Sequence, residues 1–143
     1  MAEAFGGSVL GVRDAVWLHY RYGQKPGFEH ALLCLRSRLT QTCIGVAVMR
    51  RHADHLELLD LLGEPQYFPP LIAAARLAAH AAGLPSVVTW ITASHQHHLV
   101  QPGEPVLAHK LNIFVPANAH TPGLAAATLR DRWFLMAGDT DFH

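Results

Sequence analysis

Three groups of residues carry side chains able to do chemistry: the acids set among leucines in LELLDLLG (56–63), the histidines of SHQHH (94–98), and the acidic pair in GDTD (138–141). Burial raises the pKa of a carboxylate in an apolar strand toward neutrality, where it can accept and return a proton. Asp60, embedded among leucines near the strand end, is the favoured residue. Glu57 is the second acid of the strand, and plain strand alternation predicts the two on opposite faces, so that only one can face a cleft. The competing reading of Asp60 is a solvated or ion-paired acid, with Arg50 or Arg21 as partner.

His95, His97 and His98 offer proton donors near neutral pH, or metal ligands. No cysteine or acid stands nearby in sequence to complete a tetrahedral site, so a solvent-facing polar turn is the plainer reading and no metal is expected. Asp139 and Asp141 lack the further oxygens, about six to eight in all, that calcium takes. They read as a capped or frayed chain end.

The leucine-rich strand runs through GEPQYFPP into an alanine-rich helix, and free N–H groups at such a junction can bind phosphate. Here Pro65, Pro69 and Pro70 each delete one donor, no lysine or arginine lies in the loop, and Glu64 adds negative charge. A helix-dipole gain of about 0.3–1 kcal/mol does not offset several lost charge-assisted hydrogen bonds of about 1.5–3 kcal/mol each. A weak grip on a diphosphate is expected.

Other chemistries are missing from the pattern. There is no G-x-S-x-G elbow, Walker loop, G-x-G-x-x-G or C-x-x-C. Cys34 and Cys43 flank a turn and could face each other across a hairpin, but a pair of reduced core thiols is the plainer expectation. In the triplet Tyr20-Arg21-Tyr22, arginine packed between rings is expected ahead of a cleft-shaping role.

These residues need a scaffold, and 143 residues suffice for one core. Half of the residues are hydrophobic and 15% are charged, which excludes intrinsic disorder. Eleven basic residues balance eleven acidic ones without a block of like charge, so nucleic acid is not an expected partner. No basic leader and no apolar window of roughly 18 residues is present, so no membrane partner is expected and a cytoplasmic protein is.

The spacing predicts a short helix over 13–22, with Trp17 sharing a face with Tyr20 or Arg21 and Pro26 preventing its extension. Strands are predicted over 29–36, 42–50 and 55–63 as an antiparallel meander, the third central because both of its faces are apolar. A helix follows, with Pro69 and Pro70 in its first turn and Gly83 just past its end. Strands are predicted over 86–93, 106–115 and 132–137. The fold class is α/β or α+β: a mixed sheet, antiparallel meander first, then a β-α-β crossover with parallel strands.

This order of elements resembles the GNAT N-acetyltransferase superfamily. Four segments are similar to a bacterial GNAT-like branch: VWLHYRYGQKPGFEHALL, IGVAVMRR, LELLDLLG and WFLMAGDTDF. The resemblance begins at the family's second helix. It implies an N-terminal arm over 1–12 and a GNAT-like domain over 13–143 whose first strand and helix are missing. An exposed apolar face or sheet edge is then expected, covered by a second copy (a homo-oligomer) or by a partner domain.

The resemblance further implies acetyl transfer from acetyl-CoA to a small-molecule amine. Asp60 or Glu57 would be the base and His98 the stand-in for a thiolate proton donor, with His97 the alternative. The backbone at Leu61, Leu62 and Gly63 would carry the pantetheine arm, and Gln66, Tyr67 and Phe68 would replace the usual loop contacts. The alternative function is a non-catalytic binding or assembly module on the same scaffold, or the C-terminal half of a larger acetyltransferase.

Overall fold

The computed structural model describes residues 7–24, 29–100, 102–103, 105–112, 126–129 and 131–140. Near the N-terminus, β1 (Val9–Leu10) leads into α1 (Ala15–Leu18). Asp14 caps α1 by accepting from the Trp17 N–H at 2.8 Å. The chain then widens into a π-type turn, His19–Gly23. The predicted short helix is therefore present as one continuous helical stretch, α1 running straight into the π-type turn. Tyr20 is 71% exposed there, so of the two residues expected beside Trp17 it is Arg21, half-buried like Trp17, that turns inward. Pro26 lies outside the described residues.

The predicted meander is present. Strands β2 (His30–Arg36), β3 (Cys43–Arg51) and β4 (Leu56–Gly63) pair antiparallel in sequence order, and β4 pairs parallel with β5 (Val87–Val88). The sheet order is β2-β3-β4-β5, a mixed α/β arrangement with β4 interior and buried on both faces. The crossover helix α2 (Phe68–Ala81) joins β4 to β5. It ends where expected: Leu84 N–H reaches back to Ala79 O at 2.9 Å and Gly83 takes φ +71°, a left-handed stop that glycine adopts without strain.

One face of the sheet carries the main core. Leu56, Leu58 and Leu61 of β4 and Ala47 and Met49 of β3 pack with Phe68, Leu71, Ile72, Ala75 and Ala79 of α2. On the other face Val48, Leu59 and Leu62 pack with Tyr22 and Ala137, flanked by Trp17 and Trp90. The N-terminal turn and the C-terminal tail therefore cover the face that α2 leaves open.

Two β-bulges set which side chain goes where. Met49 pairs with Leu58 but Val48 pairs with Asp60, which leaves Leu59 as an extra residue in β4. In the β2–β3 pair, Leu35 faces Gly45 and Arg36 faces Cys43, so Ile44 is the extra residue there.

Several expectations are corrected. Cys34 and Cys43 are not reduced core thiols: both are exposed and joined in a disulfide across the hairpin, with Cα atoms 6.0 Å apart. The reason is alternation, since Leu33 and Leu35 take the core-facing positions of β2 and leave Cys34 on the open side. The predicted strand over 106–115 is not formed at residues 105–112, and residues 113–115 lie outside the description.

The predicted last strand shrinks to β6 (Trp133–Phe134) plus an isolated bridge between Ile91 and Met136. The predicted strand over 86–93 shrinks likewise to β5 and that bridge. No strand was expected before Arg13, yet β1 pairs parallel with β6. No helix among the described residues is long and apolar enough to cross a membrane.

Candidate functional site

The bulge at Leu59 builds the site. Glu57 and Asp60 pair with Arg50 and Val48, which are two positions apart in β3 and share a face. The two acids therefore lie on the same face of the sheet, not on opposite faces, because the extra residue resets the alternation.

Asp60 is 0% exposed, and both of its oxygens are engaged. Oδ2 accepts from Arg13 Nε at 3.1 Å, with the Tyr22 hydroxyl in longer contact at 3.4 Å. Oδ1 accepts from the Leu61 N–H at 2.9 Å. The same guanidinium bonds Asp139 through its second arm, and Asp139 in turn caps the tail by accepting from the Met136 N–H at 2.8 Å. The Arg13 side chain is 4% exposed and lies near the rings of Trp17 and Phe134, 5.9 and 5.5 Å from their centroids.

Burial is the largest influence on Asp60 and pushes its pKa up to about 6, with Arg13 pulling down and Asp139 pushing up. Desolvation therefore outweighs the ion pair. The Tyr22 phenol is raised as well, first by burial and then by the charges of Asp60 and Asp139.

Arg21 does not pack between tyrosine rings. Its Nε donates to Gly138 O at 2.9 Å and its other arm reaches Thr140 O, so it holds the tail through the main chain. Gly138 itself permits the approach, since a Cβ there would collide with the Tyr22 hydroxyl and sit 3.1 Å from Leu59 O. The N-terminal helical stretch, β4 and the C-terminal tail thus converge around Asp60.

Glu57 belongs to a separate cluster. Arg50 bonds it at 2.7 Å and His52 at 2.9 Å, and the His52 ring stacks on His55 at 4.4 Å. Arg50 is the partner anticipated for Asp60, but it serves Glu57, and neither anticipated partner of Asp60 contacts it.

His98 is half-buried beside Phe68, with ring centroids 5.7 Å apart, and its pKa is lowered by burial and by His97 and His95. The histidine turn is not wholly solvent-facing. His95 is buried against Phe134, and neither of its ring nitrogens has a hydrogen-bond partner. Burial lowers its pKa first, then the charge of His97; the Arg132 main chain opposes them weakly, approaching the ring without meeting hydrogen-bond geometry. No group of three metal-ligating side chains converges among the described residues. Asp139 acts as a cap, while Asp141 lies outside the described residues.

The proposed cofactor residues are distributed along the end of β4 and the following 3-10 turn, Pro65–Tyr67. Leu61 and Leu62 are buried, and the Leu61 N–H is already taken by Asp60. Gly63 has φ +119° and abuts Ile44 O. Gln66 is exposed and bonds Glu64 at 3.0 Å. Tyr67 is half-buried, and Phe68 is fully inside the core, not at the mouth.

β4 and β5 part early. They pair only at Leu56–Val87 and Glu57–Val88, with the Thr89 hydroxyl bonding Leu58 O at 2.7 Å where they separate. Residues beyond β5 turn to the tail instead: Thr92 N–H bonds Leu135 O, and Ala137 N–H bonds Trp90 O. A cavity of about 450 Å³ lies between the second half of α2 and the start of β5, and of its lining residues only Val87 borders the fork.

Arg13, the cation that pairs Asp60 with Asp139, is the residue of this centre that sequence reasoning passes over. An arginine beside a capping aspartate reads as a solvated helix start, and its partners stand 47 and 126 residues away. The one signal pointing to it is indirect: a buried acid needs a cation. No protein-family model, curated protein or solved structure matches the chain.

Proposed function

We propose that this chain is a GNAT-like acyltransferase domain that moves an acetyl group from acetyl-CoA to a small-molecule amine. The observation that carries the reading is the parting of β4 from β5, with Asp60 just past the fork. In the reaction the amine nitrogen attacks the thioester carbonyl carbon, the carbon–sulfur bond breaks, and the departing thiolate takes a proton. Asp60, with its pKa near 6, receives the proton lost by the amine, directly or through water, by exchanging its contact to Tyr22 or Arg13.

His98, in its protonated form, gives a proton to the thiolate, returns to neutral imidazole and is recharged from solvent. The backbone from Leu61 to Gly63 faces the pantetheine arm, with Gln66 and Tyr67 at the mouth. A cytoplasmic location belongs to the same reading. Calorimetric titration with acetyl-CoA into the high-micromolar range tests it: saturable heat supports the reading, and no heat removes it.

A second reading, a non-catalytic binding or assembly module on the same scaffold, is favoured by a specific observation. Both oxygens of Asp60 and the Leu61 N–H are occupied by internal bonds, so the fork offers little to a cofactor as it stands. Sedimentation over a range of concentrations separates the two. Mass growth without cofactor heat supports the module, and a strict monomer that titrates with acetyl-CoA excludes it.

A further inference from the structure

The disulfide sits where it can act on the mouth of the candidate site. Cys34 and Cys43 are the only cysteines of the chain, so neither has another intramolecular partner. They are joined across β2 and β3 with Cα atoms 6.0 Å apart, a separation that a disulfide spans. Both are exposed, on the hairpin that includes the sheet's edge strand β2, where small thiols and disulfides can reach them.

Cys43 is followed by the bulged residue Ile44 and then by Gly45. The Ile44 carbonyl oxygen would lie 2.7 Å from a Cβ on Gly63, so the two backbones touch at the end of β4. Gly45 is packed as closely: a Cβ there would lie 3.0 Å from Leu71 and 3.6 Å from Tyr67. The covalent tie at Cys43 thus adjoins the bulge that seats Gly63, Tyr67 and the first turns of α2.

We propose that Cys34 and Cys43 form a reversible thiol–disulfide site that responds to low-molecular-weight disulfides and sets the order of the mouth from Gly63 to Tyr67. In oxidation, one thiolate attacks the small disulfide and releases one small thiol as a mixed disulfide forms. The second thiolate then attacks the mixed disulfide and releases the other small thiol. Two protein thiols lose two protons and two electrons, and the small disulfide becomes two thiols. In a reducing compartment such exposed pairs are more often transient and redox-sensing than structural. The thiol–disulfide chemistry needs only the two cysteines, whereas its meaning for a cofactor mouth rests on the acyl-transfer reading; the thiol count below tests the first and acetyl-CoA titration the second.

The test equilibrates the purified chain against reduced and oxidised glutathione at graded ratios. Thiols are then counted by trapping and intact mass, and Tm and site-resolved amide exchange are recorded. The expected result is a switch from two free thiols to none within single chains. Oxidation is expected to raise Tm by about 5–10 °C, as closing a loop of this length implies. Amide exchange at Gly45, Gly63 and Tyr67 slows on oxidation.

A Cys34→Ser/Cys43→Ser variant, benign because both sites are exposed, is expected to match the reduced chain at every ratio. Two free thiols at all ratios, or oxidised material made only of cross-linked pairs of chains, overturns the proposal. So do identical Tm and exchange in the two redox forms.

Discussion

Replacing Asp60 with asparagine separates two forces that meet at one buried oxygen. The folded carboxyl titrates near 6, against 3.8 for an unperturbed aspartate, a rise of about two units. At 1.36 kcal/mol per unit, this corresponds to about 3 kcal/mol of pH-dependent stability. The sign follows from the direction of the shift: the folded state holds the proton more tightly than the unfolded chain. The Asp60 contribution is therefore fully present below about pH 4 and lost as pH rises through about 6.

The Asp60→Asn variant has no such proton to lose. Its own cost, from a weakened Arg13 contact, is a constant offset. Urea unfolding of both proteins from about pH 4 to about pH 7 should show the variant gaining on the wild type by on the order of 3 kcal/mol across the interval. Parallel curves would refute the reasoning. A difference running the other way would show that Arg13 outweighs burial and that the carboxyl is held ionised by its ion pair.

Three further outcomes follow from the packing. Gly138→Ala should cost about 1–3 kcal/mol in urea unfolding, because the new methyl group meets the Tyr22 hydroxyl; an unchanged midpoint would mean the tail is not seated against β4. Phe68→Ala should cost about 3–5 kcal/mol, since the ring is fully buried, whereas a neutral result would return Phe68 to the mouth as a surface contact. His95 has a lowered pKa, so its contribution is present above the unfolded value of about 6.5 and fades as pH falls; His95→Phe should melt with less acid sensitivity than wild type, and equal sensitivity would exclude a buried neutral ring.

The meander and the alanine-rich helix were legible because their signals are local. Alternation marks β4, prolines open α2, and Gly83 closes it. Asp60 was legible too, since an acid with leucines on both sides in a strand apolar on both faces is placed for burial. What escaped was everything set by one inserted residue or by a distant partner.

Strand alternation cannot reveal that Leu59 is extra, so Glu57 and Asp60 read as opposed when they share a face. The cysteines read as core thiols because their neighbours are apolar, yet Leu33 and Leu35 hold the inward positions. The C-terminal strands failed for a related reason. Their β-branched and aromatic residues satisfy propensity, but their backbone bonds go to single bridges and turns, which only tertiary context selects.

The arginine bonds that close the polar centre join residues 126, 117 and 119 positions apart. Contacts of such span repay their loop-closure entropy late in folding, whereas the β2–β3–β4 meander and α2 can form from neighbouring sequence. During synthesis, Asp60 leaves the ribosome long before the tail that completes its surroundings exists. The nascent chain then carries a half-made sheet with an unshielded acid until residues 138–140 follow to enclose it.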